Sequence, residues 1–414
     1  MRCTVIRFRS LILFAALTLF AMPDPAASGT REDIAAKVEA VIAAYHAANR
    51  EKEGFSAVSA SVSLADGEAT IDAVTGQVSR APGAADITPR SLFQIGSITK
   101  SMTSVIVLQL MDEGVLSLDA PIGRWLPEYP AWKDLTLRRL LSMTSGIPGY
   151  DDTEAFLKTL AAGLGNHRYT TAKLISFVDP DLAGAPPPTT GYNYSNSNFI
   201  LAQMIIERAT GESFEQQVRR RILTGHGLTD TFYAAGVYPD AVASRMVDGY
   251  LAALAPEQKM LEALYGRDTG HLDTSWAQAA GGAVATPSDL TRWARLLFTG
   301  PILDEARRKD LTGLVSMKTG QPIAAVTKDD PKGFGLGVNT STFGPGQTIW
   351  AYEGETIGAR ALYSYFPKHD LVIAVAVNSS TTTSDGIGRL LADLYVAVTG
   401  DKAAVAAAQA QPAN

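Results

Sequence analysis

Hydrophobic positions near the start of the chain recur first at helical and then at strand spacing. Between residues 31 and 49 they fall about one helical turn apart, at Ile34, Val38, Val41, Ile42 and Tyr45. Apolar and polar positions then alternate from 57 to 64, up to the turn Asp66-Gly67. The pattern predicts an opening helix followed by a β-hairpin.

The last part of the chain, from about residue 333, changes to apolar runs that favour strands. These runs cover 347–352, 359–366 and 371–377, and turns rich in Gly or of the type Pro-Lys-His-Asp join them, which predicts three antiparallel strands. An amphipathic helix is predicted over 386–398, and the Ala/Gln-rich tail 401–414 is predicted to be disordered.

Helical spacing dominates the middle of the chain. It is seen over 97–114, 135–143, 171–178 and 197–209, and the capping box Ser213-Phe214-Glu215-Gln216 begins a further helix just after Gly211.

We therefore predict an α+β fold in which both ends of the chain complete one antiparallel sheet flanked by helices. A mostly helical lobe, roughly residues 100–285, packs beside it, with the active site in the cleft between them. Residues 29–400 are predicted to form a single domain, since no repeat or linker divides them.

The first 28 residues look like a targeting segment. Arg2, Arg7 and Arg9 precede an apolar run over 11–22, and small residues follow at 26–28, as in a secretory signal peptide. The apolar run is shorter than the ~20 residues that cross a bilayer, so a stable membrane anchor is the less favoured reading. We expect a periplasmic or secreted protein. Its only cysteine, Cys3, would leave with the signal, which excludes a cysteine nucleophile and a thiolate metal site.

The composition of the chain limits the kinds of molecule that it is expected to bind. The 414 residues are 46% hydrophobic and carry a formal charge of −6, so the chain can bury a large core and offers no basic field for nucleic acid. None of the five histidines has a neighbour at metal-ligand spacing, and neither a Gly-x-Ser-x-Gly elbow nor a phosphate-binding glycine loop is present. No metal or cofactor is predicted, and the expected partner is a small molecule or a peptide.

The segment Gly96-Ser97-Ile98-Thr99-Lys100 carries the first candidate chemistry. Residues three apart on a helix lie on one face, about 5 to 6 Å apart at Cβ, so the hydroxyl of Ser97 and the amine of Lys100 can meet. A serine hydroxyl needs a base to become a nucleophile, and burial among apolar groups favours the neutral, basic form of a lysine. Alternatively, Ser97 is a helix N-cap and Lys100 a solvated side chain.

Tyr194-Ser195-Asn196 is the second candidate. A phenol beside a lysine can relay protons, and an asparagine amide can donate to a substrate carbonyl. The alternative is that Tyr194 is a core or turn aromatic and that Asn196 caps a helix.

With these motifs the sequence resembles the serine β-lactamase and penicillin-binding-protein-like hydrolases. The match looks closest to the branch of class C β-lactamases, D-Ala-D-Ala carboxypeptidases, D-aminopeptidases and β-lactamase-like esterases, and it covers nearly all of the mature chain. It includes Ser97-x-x-Lys100, Tyr194-x-Asn196 and the segments 108–119, 140–148 and 280–287. The resemblance implies acylation of Ser97, base and acid roles shared by Lys100 and Tyr194, and substrate contact by Asn196. It also implies an oxyanion hole built from the amide of Ser97 and an amide on an edge strand.

That edge strand carries the third motif of the family, usually Lys-Thr-Gly or His-x-Gly, and here the sequence departs from it. The chain does contain Lys318-Thr319-Gly320, but this segment precedes Phe334-Gly335-Leu336-Gly337, which in the family comes before the motif. We therefore interpret Lys318-Thr319-Gly320 as a decoy, a chance match that does not have the role of the third motif. The equivalent position is Tyr352-Glu353-Gly354, with Glu355 supplying the oxyanion amide.

The two glutamates at this position, Glu353 and Glu355, affect which substrates can bind. Two like charges 4 Å apart cost about 4 kcal/mol at an effective dielectric of ~20, so a carboxylate-bearing substrate would bind poorly unless a cation such as Arg360 intervenes. The alternative is that Glu353 and Glu355 point away into solvent. We expect an exported serine peptidase or esterase rather than an efficient β-lactamase. Two alternatives stay open: a β-lactamase or D-Ala-D-Ala carboxypeptidase, and a non-hydrolytic homologue that binds cell-wall peptides.

Overall fold

The structure is a computed structural model that describes residues 29–163, 167–179, 191–253, 261–381 and 386–409. The predicted signal peptide, residues 1–28, lies outside the described residues. Fourteen strands occur in the described ranges: β1 Ala57–Ser63, β2 Ile71–Gly76, β3 Phe93–Gln94, β4 Thr231–Tyr233, β5 Tyr250–Ala253, β6 Ala283–Ala285, β7 Leu314–Ser316, β8 Pro322–Ile323, β9 Lys332–Phe334, β10 Asn339–Thr342, β11 Thr348–Glu355, β12 Arg360–Phe366, β13 Leu371–Val377 and β14 Ser379–Thr381.

The α-helices of the same ranges are α1 Arg31–Glu53, α2 Thr99–Asp112, α3 Leu137–Leu141, α4 Glu154–Gly163, α5 Thr171–Ile175, α6 Ser197–Thr210, α7 Phe214–Val218, α8 Asp240–Ala243, α9 Gln278–Gly281, α10 Pro287–Phe298, α11 Glu305–Leu311, α12 Gly386–Thr399 and α13 Lys402–Gln409. Among the described residues, none of these helices is both long and apolar enough to span a bilayer.

Strands from both ends of the chain form one nine-stranded sheet, in the order β2-β1-β13-β12-β11-β10-β9-β7-β8. The N-terminal strand β1 pairs antiparallel with the C-terminal β13, with Val58 opposite Val377. The predicted α+β fold is confirmed, as are the three C-terminal strands. β11 runs three residues further than predicted, to Glu355.

Helices from the two ends of the chain cover one face of this sheet. α1 begins at a capping box between Thr30 and Asp33 and ends at Gly54, which has the left-handed conformation that glycine adopts without strain. Its buried side chains pack with those of α12 and the facing strand residues into one apolar cluster. The opposite face packs against α10, which contacts β1, β12 and β13.

A second, larger apolar cluster fills the helical lobe. α2 lies at its centre, packed against α6 and α9, and every residue from Thr99 to Leu108 is buried. Three short strands form a separate sheet in the order β3-β6-β4, and β3 contacts β12 of the nine-stranded sheet. Strands of two or three residues are too short for hydrophobic periodicity to reveal.

The predicted disorder of the tail is wrong for residues 402–409, which form α13. The side-chain oxygen of Asp401 accepts a hydrogen bond from the Ala404 amide at 3.0 Å, as an N-cap does, and Ala404 and Val405 are buried against the α1–α12 cluster. Alanine is the best helix former, so an Ala-rich segment folds where it finds an apolar surface to cover. Residues 410–414 lie outside the described residues.

Candidate active site

Ser97 lies in a tight turn just before the buried helix α2. Gly96–Ile98 form one turn of 3-10 helix, and Gly96 has φ +47°, a left-handed conformation that favours glycine. The residue that caps α2 is Ile98, not Ser97, so the alternative in which Ser97 is an N-cap is wrong. The hydroxyl of Ser97 is instead directed towards two other polar side chains.

The first of these is Lys100, one helical turn further along. Its side chain is fully buried, and its Nζ donates to Ser97 Oγ at 2.8 Å and to the Ala280 carbonyl oxygen at 2.7 Å. The same Nζ lies 4.9 Å from the ring centre of Tyr194 and 5.7 Å from that of Phe199. In the described part of the chain no carboxylate forms an ion pair with Lys100. The alternative of a solvated lysine is therefore wrong.

The second is Tyr194, which precedes α6. Its phenolic hydroxyl donates to Ser97 Oγ at 2.7 Å and lies 3.5 Å from the hydroxyl of Tyr352 on β11. Tyr352 is buried, and burial raises the pKa of its phenol well above the ordinary value, so the group is neutral at physiological pH. The hydroxyl of Ser97 thus lies within hydrogen-bonding distance of both an amine and a phenol.

Asn196 occupies the N-cap position of α6 but makes no capping hydrogen bond. Its Nδ2 donates to Asp151 Oδ2 at 2.6 Å. Asp151 belongs to the 3-10 turn Tyr150–Asp152, and burial raises the pKa of its carboxyl although the bond from Asn196 lowers it. The sequence did not identify Asp151. The only available signal was the acidic pair Asp151-Asp152 shortly after the family segment 140–148.

The end of β11 lies directly against the Ser97 turn. β10 pairs only with Thr348–Trp350, which leaves the rest of that edge of β11 without a strand partner. A Cβ on Gly354 would lie 1.8 Å from the Ile95 carbonyl oxygen and 2.9 Å from the Ser97 amide nitrogen, and a Cβ on Gly96 would lie 2.6 Å from the Glu355 amide nitrogen. The backbones of Gly354, Glu355 and Ser97 can approach this closely only because Gly96 and Gly354 lack side chains.

The carboxylates of Glu353 and Glu355 lie on the other face of β11. Side chains alternate along a strand, and Tyr352 and Trp350 pack in the cluster of the helical lobe whereas Ile349 and Ala351 pack in the α1–α12 cluster. Glu353 and Glu355 share the second face. The Glu355 carboxyl accepts a hydrogen bond from Ser380 Oγ, and partial burial raises its pKa. The structure thus favours the alternative in which both acids point away from the cleft.

Arg360, the cation considered for this region, is engaged elsewhere. Its guanidinium forms an ion pair with Glu53 at 2.7 Å, with both side chains only 2% exposed. Lys318-Thr319-Gly320 lies in the turn between β7 and β8, where Gly320 packs against Gly191 and Tyr192. It is therefore not part of β11, the strand whose end lies against the Ser97 turn.

One group of potential metal ligands was not predicted. Ligand atoms of Asp248, Asp268 and His271 lie within 4.8 Å of one another. His271 Nδ1 is 2.7 Å from Asp268 Oδ2, and Asp268 Oδ1 accepts the amides of Gly249 and Gly270. The hydrogen bonds of Asp268 connect the loop that contains Gly249 with the loop that contains Gly270 and His271.

The chain that brings Ser97, Lys100 and Tyr194 together is similar in sequence to known proteins. The model of the Beta-lactamase family matches residues 43–397. The chain belongs to the Beta-lactamase family. The family comprises serine hydrolases, among them esterases, amidases and carboxypeptidases, and the α+β fold described above is the one expected for a member.

Curated relatives in this family include two penicillin-binding proteins. Penicillin-binding protein 4 of Amycolatopsis lactamdurans is 26% identical over 341 residues, which cover 80% of this chain and 82% of that protein. Penicillin-binding protein 4* of Bacillus subtilis (strain 168) is 26% identical over 239 residues, 56% of this chain. That match spans 51%, about half, of the Bacillus protein.

Among solved structures, the D-amino acid amidase of Ochrobactrum anthropi SV3, complexed with L-phenylalanine amide, superposes with a TM-score of 0.70. It is 24% identical to this chain, and the superposition covers 88% of this chain and 97% of the amidase. This likeness shows the shared Beta-lactamase-family fold.

Proposed function

We propose that this protein hydrolyses an ester or amide bond through an acyl-enzyme formed on Ser97. The observation that carries the proposal is the pair of short contacts at one hydroxyl, from Lys100 Nζ at 2.8 Å and from Tyr194 Oη at 2.7 Å. A nucleophile held by a potential base and a potential acid is the arrangement that acyl transfer needs.

The proposed reaction moves one proton in each half. In acylation, Ser97 Oγ attacks the substrate carbonyl carbon and its proton passes to Lys100 Nζ or Tyr194 Oη. Tyr194 then protonates the departing alcohol or amine as the bond to it breaks. In deacylation, a water molecule loses a proton to the same pair and attacks the acyl carbon, and Ser97 Oγ regains its proton. Because Lys100 is enclosed, its protons are shared with Ser97 and Ala280 rather than with solvent.

The negative charge that develops on the carbonyl oxygen is assigned to two backbone amides, those of Ser97 and Glu355. The support is the close packing of β11 on the Ser97 turn at Gly96 and Gly354. Fixed backbone N–H groups stabilise an oxyanion without rearranging, and the loss of one such donor typically costs about 10²- to 10³-fold in kcat.

The proposed substrate class is a neutral ester or an amide without a carboxylate next to the scissile bond. Tyr352 stands where the resemblance expects a lysine or histidine, and its phenol is neutral, so this position supplies no cation for a carboxylate. The amidase of Ochrobactrum anthropi was solved with L-phenylalanine amide and also with L- and D-phenylalanine, so its ligands share a free amine but not the absence of a carboxylate. The neutral phenol of Tyr352 is therefore the observation that favours a peptidase or esterase over an efficient β-lactamase, and export to the periplasm or beyond remains part of the proposal.

Covalent labelling with a fluorophosphonate probe tests the nucleophile. The native protein should label, and Ser97→Ala should not. Ser195→Ala is the matched control, because Ser195 follows Tyr194 and its hydroxyl has no hydrogen-bond partner among the described residues. It should label at the native rate. Equal labelling of native protein and Ser97→Ala would overturn the assignment, and a native protein that does not label would favour the non-hydrolytic alternative.

A further inference from the structure

Met143 has a backbone conformation that is strained for a residue with a side chain. It follows Ser142, the C-cap of α3, and its φ of +60° lies in the left-handed region. Helices commonly carry glycine at this position, because a Cβ is unfavourable there. Strain of this kind persists where the surrounding contacts hold the residue in place, and it is frequent at functional sites. A methionine at this position therefore calls for contacts that glycine could not make.

Met143 is hydrogen-bonded to the chain on both sides of Tyr194. Its carbonyl oxygen accepts the amide N–H of Asn193 at 2.8 Å, and its thioether sulfur Sδ accepts the amide N–H of Ser195 at 3.4 Å. A thioether is a weak acceptor, and the large sulfur atom makes its hydrogen bonds longer than those of oxygen. The residues before and after Tyr194 are thus both held by Met143.

The same sulfur accepts a second donor, and that donor has a fixed orientation. Asn198 Nδ2 lies 3.5 Å from Met143 Sδ. The hydroxyl oxygen of Ser145 accepts the Ile147 amide at 3.1 Å, so its own proton is donated to Asn198 Oδ1 at 2.6 Å. The amide group of Asn198 is therefore oriented with its nitrogen towards the sulfur. Asn198 and Met143 are both fully buried, so solvent offers no other acceptor there.

Met143 also packs in the apolar cluster of the helical lobe, which a leucine could do as well. Leucine and methionine have similar volumes, and exchanges between them usually change stability little. A leucine, however, cannot accept a hydrogen bond, and it would leave the buried N–H groups of Ser195 and Asn198 without this acceptor. The sulfur atom, rather than the apolar volume, is what distinguishes Met143 at this position.

The position of the Tyr194 phenol depends on the backbone that carries it. The residue is 38% exposed, so packing restrains its side chain only in part. Its hydroxyl donates to Ser97 Oγ at 2.7 Å, a contact that proton transfer requires. A displacement of about 1 Å between reacting groups can lower a rate by about 10²-fold. Small movements of residues 193 and 195 would therefore slow the reaction at Ser97.

We propose that Met143 is a positioning residue for Tyr194. Its carbonyl oxygen and its Sδ atom hold Asn193 and Ser195, and this keeps the phenol of Tyr194 at hydrogen-bonding distance from Ser97 Oγ. Met143 acts through Tyr194 and not on the substrate. The inference rests on the proposed function for the proton-transfer role of Tyr194, and it adds to that function a residue that sets the geometry of the transfer.

Met143→Leu tests this role, with Met204→Leu as the matched control. Met204 is buried in the same apolar cluster, and within the described ranges its sulfur accepts no hydrogen bond. On a p-nitrophenyl ester, Met143→Leu should lower kcat by about tenfold or more and leave KM within about twofold, whereas Met204→Leu should keep the native kcat. Equal kcat values for the two variants would overturn the inference.

The loss should disappear when residue 194 can no longer transfer a proton. In Tyr194→Phe, adding Met143→Leu should change kcat by less than about twofold, because both substitutions act on one group. A loss that multiplies in the double variant would show that the effect of Met143 does not pass through Tyr194, and it would overturn the inference. Turnover that persists in Ser97→Ala would overturn the proposed function instead.

Amide hydrogen exchange gives a readout that does not need turnover. Ser195 is buried and its amide is bonded to Met143 Sδ, so this amide should exchange slowly in the native protein. Met143→Leu should speed exchange in the segment 193–195 by about tenfold or more and leave other segments unchanged, and Met204→Leu should not. An increase shared by the whole chain, or no increase at all, would contradict the inference, whether or not the native protein hydrolyses an ester.

Discussion

The hydroxyl of Tyr194 lies 2.7 Å from the hydroxyl of Ser97, although 97 residues separate them in the chain. Tyr194 Oη also lies 3.5 Å from Tyr352 Oη, so the phenol is placed between the nucleophile and the strand β11. A proton can therefore pass between Ser97 and the group that leaves the substrate through a single side chain.

Tyr194→Phe should lower kcat by about 10²-fold or more and leave KM nearly unchanged, because it removes a proton-transfer group and no binding surface. Steady-state kinetics on an ester substrate measure this. Tyr192→Phe is the control, since the Tyr192 hydroxyl is buried and has no partner among the described residues. Comparable losses in the two variants would show that the effect is structural.

Gly354→Ala should abolish most activity, because the new methyl group would meet the Ile95 carbonyl oxygen at 1.8 Å and push β11 away from the Ser97 turn. At Gly313 the same methyl group would find its nearest neighbour at 3.4 Å, an ordinary contact, so Gly313→Ala should retain activity. Thermal unfolding and fluorophosphonate labelling rates of both variants provide the measurement. Full labelling of Gly354→Ala would contradict the proposed oxyanion hole.

Much of this arrangement was predictable, for reasons that particular residues illustrate. Ser97 and Lys100 are three residues apart on one helical turn, so local periodicity alone brings them together. The strands 360–366 and 371–377 are long and apolar, and their spacing is plain in the sequence. The side-chain direction of Glu353 and Glu355 depended instead on the register of β11 within the sheet, which a one-residue shift would reverse.

Asp151 is a residue of the candidate site that the sequence could not identify. Its contact with Asn196 joins two turns that are 45 residues apart, and no periodicity or motif spacing encodes a contact of that kind. The helix at 402–409 was missed for a related reason, since its low-complexity composition hid the apolar surface that Ala404 and Val405 cover.

The ion pair between Glu53 and Arg360 should be important for stability. Both side chains are 2% exposed, so Glu53→Gln would leave a buried guanidinium without its counter-ion and should lower the free energy of unfolding by about 3 kcal/mol or more. Denaturant titration measures this change. Glu154→Gln is the control, because the pair of Glu154 with Lys158 is exposed and its loss should not be measurable. Equal stabilities of the two variants would refute the buried charge interaction.

Asp152 should make stability depend on pH. Burial, together with the nearby charge of Asp151, raises the pKa of its carboxyl from 3.8 to about 6 in the folded state. The folded state therefore favours the protonated form, and the stability that this form contributes is lost as the pH rises through about 6. Asp152→Asn cannot ionise, so its Tm should exceed that of native protein above about pH 6 and approach it below about pH 4. A Tm difference that does not change with pH would contradict this assignment.

The central claim is that Ser97 forms an acyl-enzyme, and mass spectrometry of the intact protein tests it most directly. Native protein, Ser97→Ala and Lys100→Met are each mixed with a p-nitrophenyl ester, an amino acid p-nitroanilide, a cephalosporin and a peptide that ends in D-Ala. We predict turnover, or an acyl adduct on Ser97, with the ester or the anilide and only in the native protein. An adduct on Ser97→Ala, or neither turnover nor an adduct in the native protein, would contradict this claim. Efficient acylation of Ser97 by the cephalosporin alone would contradict the proposed substrate class instead.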